Sequence, residues 1–383
     1  MRQSEYAQAG VDYTQIQGFK DAMVEVGKKT LAFPNRRGVY VEQDVMHSHG
    51  VVYYYHGPAR THRWAKTQEG LGNKNWIAEW MYQFSGTGRT YYEGIGIDTA
   101  RMAVNDNIAQ GAMPAVYTDE VAAGPSSWFS DRRRAADLAN GFFRACEEDG
   151  MALGAGESPA LKYLINALPP VTSAPSLSGS VTGIIAPASR LITGKKLRAG
   201  DKIIGVPSSG LQANGISLVI RRTMGDPSAG IPPLKDGFLT KLPNGNTLGE
   251  EALIPTRSYV AFVEALQEAD VEIHALLPGT GDGVAKLAFD KRPFTYRVHT
   301  WTPNIPLLFL FMRELGVSLE DCLKTFNWGI GLYAFVPPNE VDHVIQIGRD
   351  IGDEVLEVGV VEQGERMTIF GPANDLKLPP PGE

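Results

Sequence analysis

Cysteine is scarce: Cys146 and Cys322 are the only two in 383 residues, too few for a disulfide framework and without the paired spacing of a zinc site. That scarcity fits a reducing compartment, and the cytoplasm is the expected location. Long apolar runs are missing as well. The longest, Ile305 to Met312, falls far short of the roughly 20 residues that a spanning helix needs, and the opening fifteen residues hold no apolar signal-peptide core. A soluble chain without membrane association is expected. An excess of positive charge is also absent: 36 Lys and Arg face 43 Asp and Glu, a formal net charge of −7, so nothing invites nucleic acid.

What is present is a core. With 43% hydrophobic and 21% charged residues, the chain can bury enough apolar area to exclude disorder. A prior of roughly 150 residues per domain suggests two or three domains. The 42 glycines form neither a collagen repeat nor a Gly/Ser tract, so each belongs to its own local context.

Strand-like and helical segments alternate along both halves. Gly50 to Tyr55 reads as a strand, and the spacing of Ala135, Leu138, Ala139, Phe142, Phe143 and Cys146 predicts a helix over 131–149, capped by Asp131 and stopped by Gly150. A strand over 179–186 leads to a boundary near residue 188, dividing the chain into 1–187 and 188–383. Beyond it the pattern predicts a strand at 202–206, a turn through 207–215 and a helix from Ile216. An aperiodic loop at 223–247 follows, then helices at 250–269 and 305–315, a strand at 331–336, a helix at 339–351 and a frayed proline-rich tail. This alternation argues for two α/β layers.

Four segments set a carboxylate beside glycines or polar residues: GlnGluGlyLeuGlyAsnLys (68–74), GlyIleGlyIleAsp (94–98), ValAsnAspAsn (104–107) and GlyAlaGlyGluSer (154–158). Taken singly, each reads as a turn carrying a solvated acid. Gathered in space, they would need a cation, because two like charges 4 Å apart repel by about 4 kcal/mol at an effective dielectric of 20. Magnesium with bound phosphate is the natural resolution. GlyLeuGlyAsnLys does not satisfy the phosphate-loop pattern GxxxxGK[ST]. On composition Lys74 is a surface lysine, or else a point charge for phosphate. His47, His49, His56 and His62 are clustered but match no closed zinc site, and read as solvated or hydrogen-bonded. SerSerGly (208–210) lacks the GxSxG of a nucleophile elbow, so its turn is a better source of backbone donors.

The order of these motifs is more informative than any one of them. TyrAlaGlnAlaGlyValAsp (6–12), segment 68–74, the stretch GlyIleAsp…AlaMetPro (96–114) and segment 154–158 follow one another in the first half. GlyAspLysIle…IleSerLeu (200–218), GluGluAlaLeuIleProThrArgSerTyrVal (250–260) and ThrPheAsnTrpGlyIleGly (325–331) follow in the second. The chain thereby resembles the aminoimidazole ribonucleotide synthetases, or phosphoribosylformylglycinamidine cyclo-ligases, over nearly its whole length. It departs from them at Glu69 (for Asp), Asn73 (for Thr), Gln212 (for His) and in GlyThrGlyAspGlyVal (279–284), and 36–66 matches poorly.

The resemblance implies a two-domain α/β fold of the synthetase type. An N-terminal ATP- and metal-binding domain would build a dimer barrel from its sheet, and a C-terminal α/β domain would bind substrate. It implies ATP and Mg²⁺ as cofactors, formylglycinamidine ribonucleotide as substrate and a homodimer as the assembly. Carried over residue by residue, it assigns Lys74, Asp106 and Asn107 to catalysis. Gly10, Asp12, Gly70, Gly72, Lys74, Asp98, Asp106, Gly156 and Glu157 go to ATP, and Glu69, Asp98, Asp106 and Glu157 to the metal. Ser208, Ser209, Gly210, Asn214, Gly281 and Asp282 go to substrate. The alternatives are a thiamine monophosphate kinase-like enzyme of the same superfamily and a non-catalytic nucleotide-binding paralogue.

Overall fold

The computed structural model describes residues 5–42 and 50–382; His47 and His49 lie outside the described residues. The chain divides into two compact units, Met1–Asn107 with Ala112–Ser189, and Ile108–Gly111 with Arg190–Glu383.

The first unit runs α1 (Glu5–Gln8), α2 (Tyr13–Thr30), β1 (Val39–Val41), β2 (Tyr53–Tyr55), β3 (Arg63–Gly70), α3 (Lys74–Phe84), α4 (Tyr92–Ile108), β4 (Met113–Ala122), α5 (Arg132–Asp149), β5 (Ala152–Glu157) and β6 (Ser176–Ile185). Its main sheet has the order β3-β6-β4-β5, with β4 and β5 parallel and the other pairs antiparallel. Within the single chain this sheet is open, with β3 and β5 at its edges. Helix α4 packs on one face, where the Tyr117 hydroxyl donates to the Thr99 carbonyl at 3.2 Å and Asn107 Nδ2 donates to Thr67 Oγ1 at 3.1 Å. On part of the other face the β1–β2 hairpin covers Ala115, Val116 and Ile184. The Tyr-rich stretch is thus a small aromatic hairpin: Tyr40 stacks on Tyr54, Tyr53 meets Trp64 edge-on, and Tyr55 meets His62 at 4.6 Å.

Helix α5 ends where its caps predict. The Asp131 side chain accepts from the amides of Arg133 and Arg134, and Gly150 takes a left-handed φ of 68°. Segments 94–98 and 104–107, read from sequence as turns, are both inside α4. Gly96 serves packing instead of ligand approach. A Cβ on Gly96 would lie 3.0 Å from the Gly141 Cα, and one on Gly141 would lie 2.1 Å from the Glu93 carbonyl oxygen. The two helices therefore touch backbone to backbone.

The second unit runs β7 (Lys202–Pro207), α6 (Ile216–Met224), α7 (Leu248–Ala252), α8 (Val260–Glu268), β8 (Ala275–Pro278), β9 (Phe294–Val298), α9 (Leu307–Glu314), α10 (Leu319–Thr325), β10 (Ile330–Val336), α11 (Val341–Asp350), β11 (Leu356–Gln363), β12 (Met367–Phe370) and β13 (Leu376–Leu378). Seven strands form one sheet in the order β13-β12-β9-β11-β7-β10-β8, antiparallel except for β12 beside β9. Every residue of β10 is buried, so an uninterrupted apolar run lies where both faces of the sheet are covered.

Two expectations need correction here. The helix expected over 250–269 is two helices, α7 and α8, because Pro255 lacks an amide hydrogen and disfavours the helical conformation at Ile254. The proline-rich tail is not wholly frayed: Pro380 is buried, and β13, just before the tail, pairs with β12.

The helix contact yields a test. Gly141→Ala should push α5 off α4 and destabilise the fold by about 1–3 kcal/mol, the usual penalty for overpacking. Urea unfolding measures it, and an unchanged midpoint would contradict the backbone-to-backbone contact.

Candidate functional site

Strand pairing sets Glu69 opposite Gly179, Gly179 opposite Asp119, and Asp119 opposite Gly156. Directly paired residues share a face, so these four form one row across the sheet, alternating acid and glycine. The next row, Gly70, Ser178, Glu120 and Glu157, points to the opposite face. Both rows lie at the carboxyl ends of the parallel strands β4 and β5, the end at which open α/β sheets bind ligands.

The glycines of the first row make room. A Cβ at Gly179 would fall 1.8 Å from the Tyr117 hydroxyl, and one at Gly156 would fall 2.5 Å from Asp119 Oδ1. Asp119 is buried, at 7% exposure. Burial pushes its carboxyl up to about 7, and the charge of Glu157 acts in the same direction. Asp119 also lines a cavity of about 330 Å³ together with Lys20, Lys28, Glu42 and Ser158.

Lys74 begins α3 immediately after the 70–73 turn, and it is not a surface lysine. Its side chain and that of Asp98 are both fully buried and meet at 2.8 Å. Burial lowers the Lys74 pKa, while the Asp98 charge opposes the shift. Gly72, with φ 70°, is exposed, and a Cβ placed on it would meet nothing within 4 Å, so the turn before the lysine is open on its outer side.

Asp106 is partly buried on α4, eight residues beyond Asp98. Eight residues span about 12 Å of helix axis, too far for the two carboxylates to share one ion with ligand distances of about 2.0–2.1 Å. Among the described residues no three Asp, Glu, His or Cys side chains stand together in a way that could hold a metal ion. The four acids expected to gather around a metal therefore do not form a preassembled cage: Asp98 faces Lys74, Glu69 lies in the sheet row, and Glu157 is exposed in the row beside it. Asn107 is fully buried, and a Cβ on Gly183 would lie 2.0 Å from its Oδ1.

At the N-terminus, Asp12 caps α2. It accepts from the Thr14 amide and hydroxyl and from Gln15, and its pKa is lowered chiefly by the Thr14 hydroxyl. Ser126 clamps this loop, its hydroxyl donating to the Gly10 carbonyl and accepting from the Asp12 amide.

In the second unit the 208–215 turn is braced from beneath. Asn327 Nδ2 donates to the Gly210 carbonyl at 2.8 Å, and Asn327 Oδ1 accepts from Ser208 and from the Gly329 amide. Ser209 donates to the Pro255 carbonyl. Gln212 adopts a left-handed φ of 57°, and its Nε2 donates to the Tyr259 hydroxyl at 2.7 Å. The 279–283 turn comes up against this one, with Asn214 Oδ1 3.8 Å from a Cβ placed on Gly281. Asp282 is exposed, with φ 68°.

Sequence reasoning misses Asp119, Lys20 and Lys28. For Asp119 a signal exists, the adjacent acids Asp119 and Glu120 near the end of the mostly apolar run of β4; for the lysines no motif marks them.

Protein comparisons agree with this architecture. Residues 64–185 match the family AIR synthase related protein, N-terminal domain, and residues 198–371 match AIR synthase related protein, C-terminal domain. The phosphoribosylformylglycinamidine cyclo-ligase of Thermococcus kodakarensis is 32% identical over 369 residues, covering 96% of this chain and 98% of that protein. The protein of the same name from Desulfotalea psychrophila is 30% identical, covering 96% and 97%. Among solved structures, thiamine-monophosphate kinase from Stenotrophomonas maltophilia superposes with a TM-score of 0.57 at 17% identity, covering 90% of this chain and 94% of that one. The hydrogenase maturation protein HypE in complex with ATP gives 0.54 at 15% identity, covering 85% and 84%. These two share the fold.

The buried acid supplies a pH prediction. The Asp119 carboxyl titrates at about 7 in the folded chain and near 3.8 when unfolded, so between those values the folded state holds the extra proton. Stability from this group is complete below the unfolded value and is lost as pH rises toward about 7. Unfolding free energies of the metal-free protein should fall across that window relative to Asp119→Asn. Parallel pH profiles for the two proteins would contradict it.

Proposed function

Because the chain belongs to the AIR synthase-related family, we propose that it is an ATP-dependent cyclo-ligase that closes formylglycinamidine ribonucleotide to aminoimidazole ribonucleotide in purine biosynthesis, releasing ADP and phosphate. The observation that carries this reading is alignment with cyclo-ligases over nearly the full length of both chains. The thiamine monophosphate kinase-like alternative is not favoured, because the kinase likeness is one of fold at 17% identity.

In this reaction the formyl oxygen of the substrate attacks the γ-phosphate of ATP and becomes part of a leaving group. The amidine nitrogen then attacks the activated carbon, and phosphate departs. Both reacting groups belong to one substrate, so the protein supplies positioning and charge stabilisation. The first unit is the ATP side: Gly70 and Gly72 give close backbone approach, Gly10 and Asp12 shape the N-terminal loop, and Gly156 clears room for Asp119 beside the phosphates. Lys74 and Asp98 act as a buried pair that fixes the start of α3. Asn107 is a positioning residue between α4 and the sheet.

A magnesium ion arriving with ATP needs only one or two protein carboxylates, since phosphates and water fill its other positions. Glu69 and Asp119, on one face of the sheet, suit that number better than a four-acid cage, with Asp106 and Glu157 as further candidates. When bound, the ion neutralises charge on the phosphates. The second unit is the substrate side, with Ser208, Ser209, Gly210, Asn214, Gly281 and Asp282 in its two facing turns. A homodimer joined through the four-stranded sheet completes the proposal. No helix among the described residues is long and apolar enough to cross a membrane.

The test is ADP release from ATP with and without formylglycinamidine ribonucleotide, in the presence and absence of Mg²⁺. Release should depend on both. ATP binding without turnover of the ribonucleotide would sink the enzyme reading in favour of a nucleotide-binding paralogue. Asp106→Asn should lose about 100-fold or more in kcat, the scale of removing an electrostatic group from an active site, while melting like the parent; near-parental kcat would remove Asp106 from the site.

A further inference from the structure

Lys286 stands at the 279–283 turn and, among the described residues, has no acid partner. Its ammonium donates to the Thr280 hydroxyl within the 279–283 turn. The side chain is partly buried, and among the described residues no carboxylate lies within ion-pair distance of it. The other partly buried lysines of the second unit are neutralised, Lys202 by Glu357 at 2.7 Å and Lys324 by Glu320 at 2.6 Å. Arg257, below the 208–215 turn, is tied to Asp353. A partly buried lysine with a single neutral partner leaves two of its three N–H donors for an incoming anion.

The serines beside it cannot take its place. The Ser208 hydroxyl donates to Asn327 and the Ser209 hydroxyl donates to the Pro255 carbonyl. Each hydroxyl carries one hydrogen, and both are spent on acceptors that brace the turn from outside it. An anion arriving between the turns therefore finds its charged donor at Lys286. Gly281 leaves the approach clear, because nothing nearer than Asn214 Oδ1 at 3.8 Å faces its missing side chain.

We propose that Lys286 binds the phosphomonoester of the ribonucleotide substrate, anchoring the end of the molecule that takes no part in ring closure. This rests on the cyclo-ligase reading above. A remote charged group held in this way contributes to binding and orientation, not to the bond-making step. Loss of the contact should therefore appear in KM for the ribonucleotide.

The experiment compares Lys286→Met, which keeps the aliphatic stem, with Lys286→Arg, which keeps the charge. Lys286→Met should raise KM for formylglycinamidine ribonucleotide about 10- to 100-fold, as expected for one charged hydrogen bond, with kcat and KM for ATP near parental. Lys286→Arg should recover most of the loss. The dephosphorylated riboside should react equally poorly with parent and Lys286→Met. A separate arm needs no turnover: ribose 5-phosphate should raise the melting temperature of the parent and of Lys286→Arg but not that of Lys286→Met. That arm stands even if the parent fails to turn over the ribonucleotide, so failure of the cyclo-ligase reading is told apart from failure of this one. An unchanged KM in Lys286→Met overturns the proposal. So does a rise confined to KM for ATP, which would place a nucleotide phosphate at Lys286, or a ribose 5-phosphate shift that survives the substitution.

Discussion

Lys74 and Asp98 meet at 2.8 Å with neither side chain reaching water, and the geometry of the first unit follows from that contact. Removing one partner of such a pair typically costs about 3–5 kcal/mol, because the other charge is left buried alone. The pair ties the first residue of α3 to the second turn of α4, so it sets where the chain leaves β3 and how the 70–73 turn is held. Further along α3, Glu79 Oε1 accepts from the Tyr92 hydroxyl, Trp128 Nε1 and Arg134 Nη1, each at 2.7 Å. A buried carboxylate with three donors is fully compensated, and it extends the same constraint from α3 to α5. Two polar anchors thus hold the helices against the sheet, and Lys74 follows closely on the end of β3 that contributes to the acid rows.

Glycine does different work in different places. Gly96 and Gly141 allow α4 and α5 to touch, and Gly179 and Gly156 yield space to Tyr117 and Asp119. At Gly72 and Gly210 the backbone takes positive φ in turns, where a side chain would be strained. A glycine beside a carboxylate in the sequence is therefore not in itself a ligand loop: in 94–98 it is a helix contact, whereas in 154–158 it lies in a strand and clears room for an acid on the neighbouring strand.

Much of the fold is legible in the sequence. Helix α5 shows its stripe, its Asp131 cap and its Gly150 stop, and β10 shows a continuous apolar run, because these signals are local. Pro255 is equally visible, and a helix drawn through it overlooks a known breaker. The site is legible only in part. Lys74 looks like a surface lysine because burial of a charge depends on a partner 24 positions away. Asp119 escapes notice because its perturbation comes from burial and from Glu157 on another strand. Lys286 stands outside every motif, and its significance arises from the absence of a neighbouring acid among the described residues.

Sequence alone determined the two-part α/β organisation and, through the order of its motifs, membership of the cyclo-ligase lineage. Each of these rests on local spacing or on a linear succession of short segments. Only the tertiary structure decided which acids share a face, which charges are neutralised and which hydroxyls are already committed. The reason is physical. Strand register places Glu69, Gly179, Asp119 and Gly156 in one row although they come from four separate strands, and helix rise keeps Asp98 apart from Asp106 although they lie eight residues apart on α4.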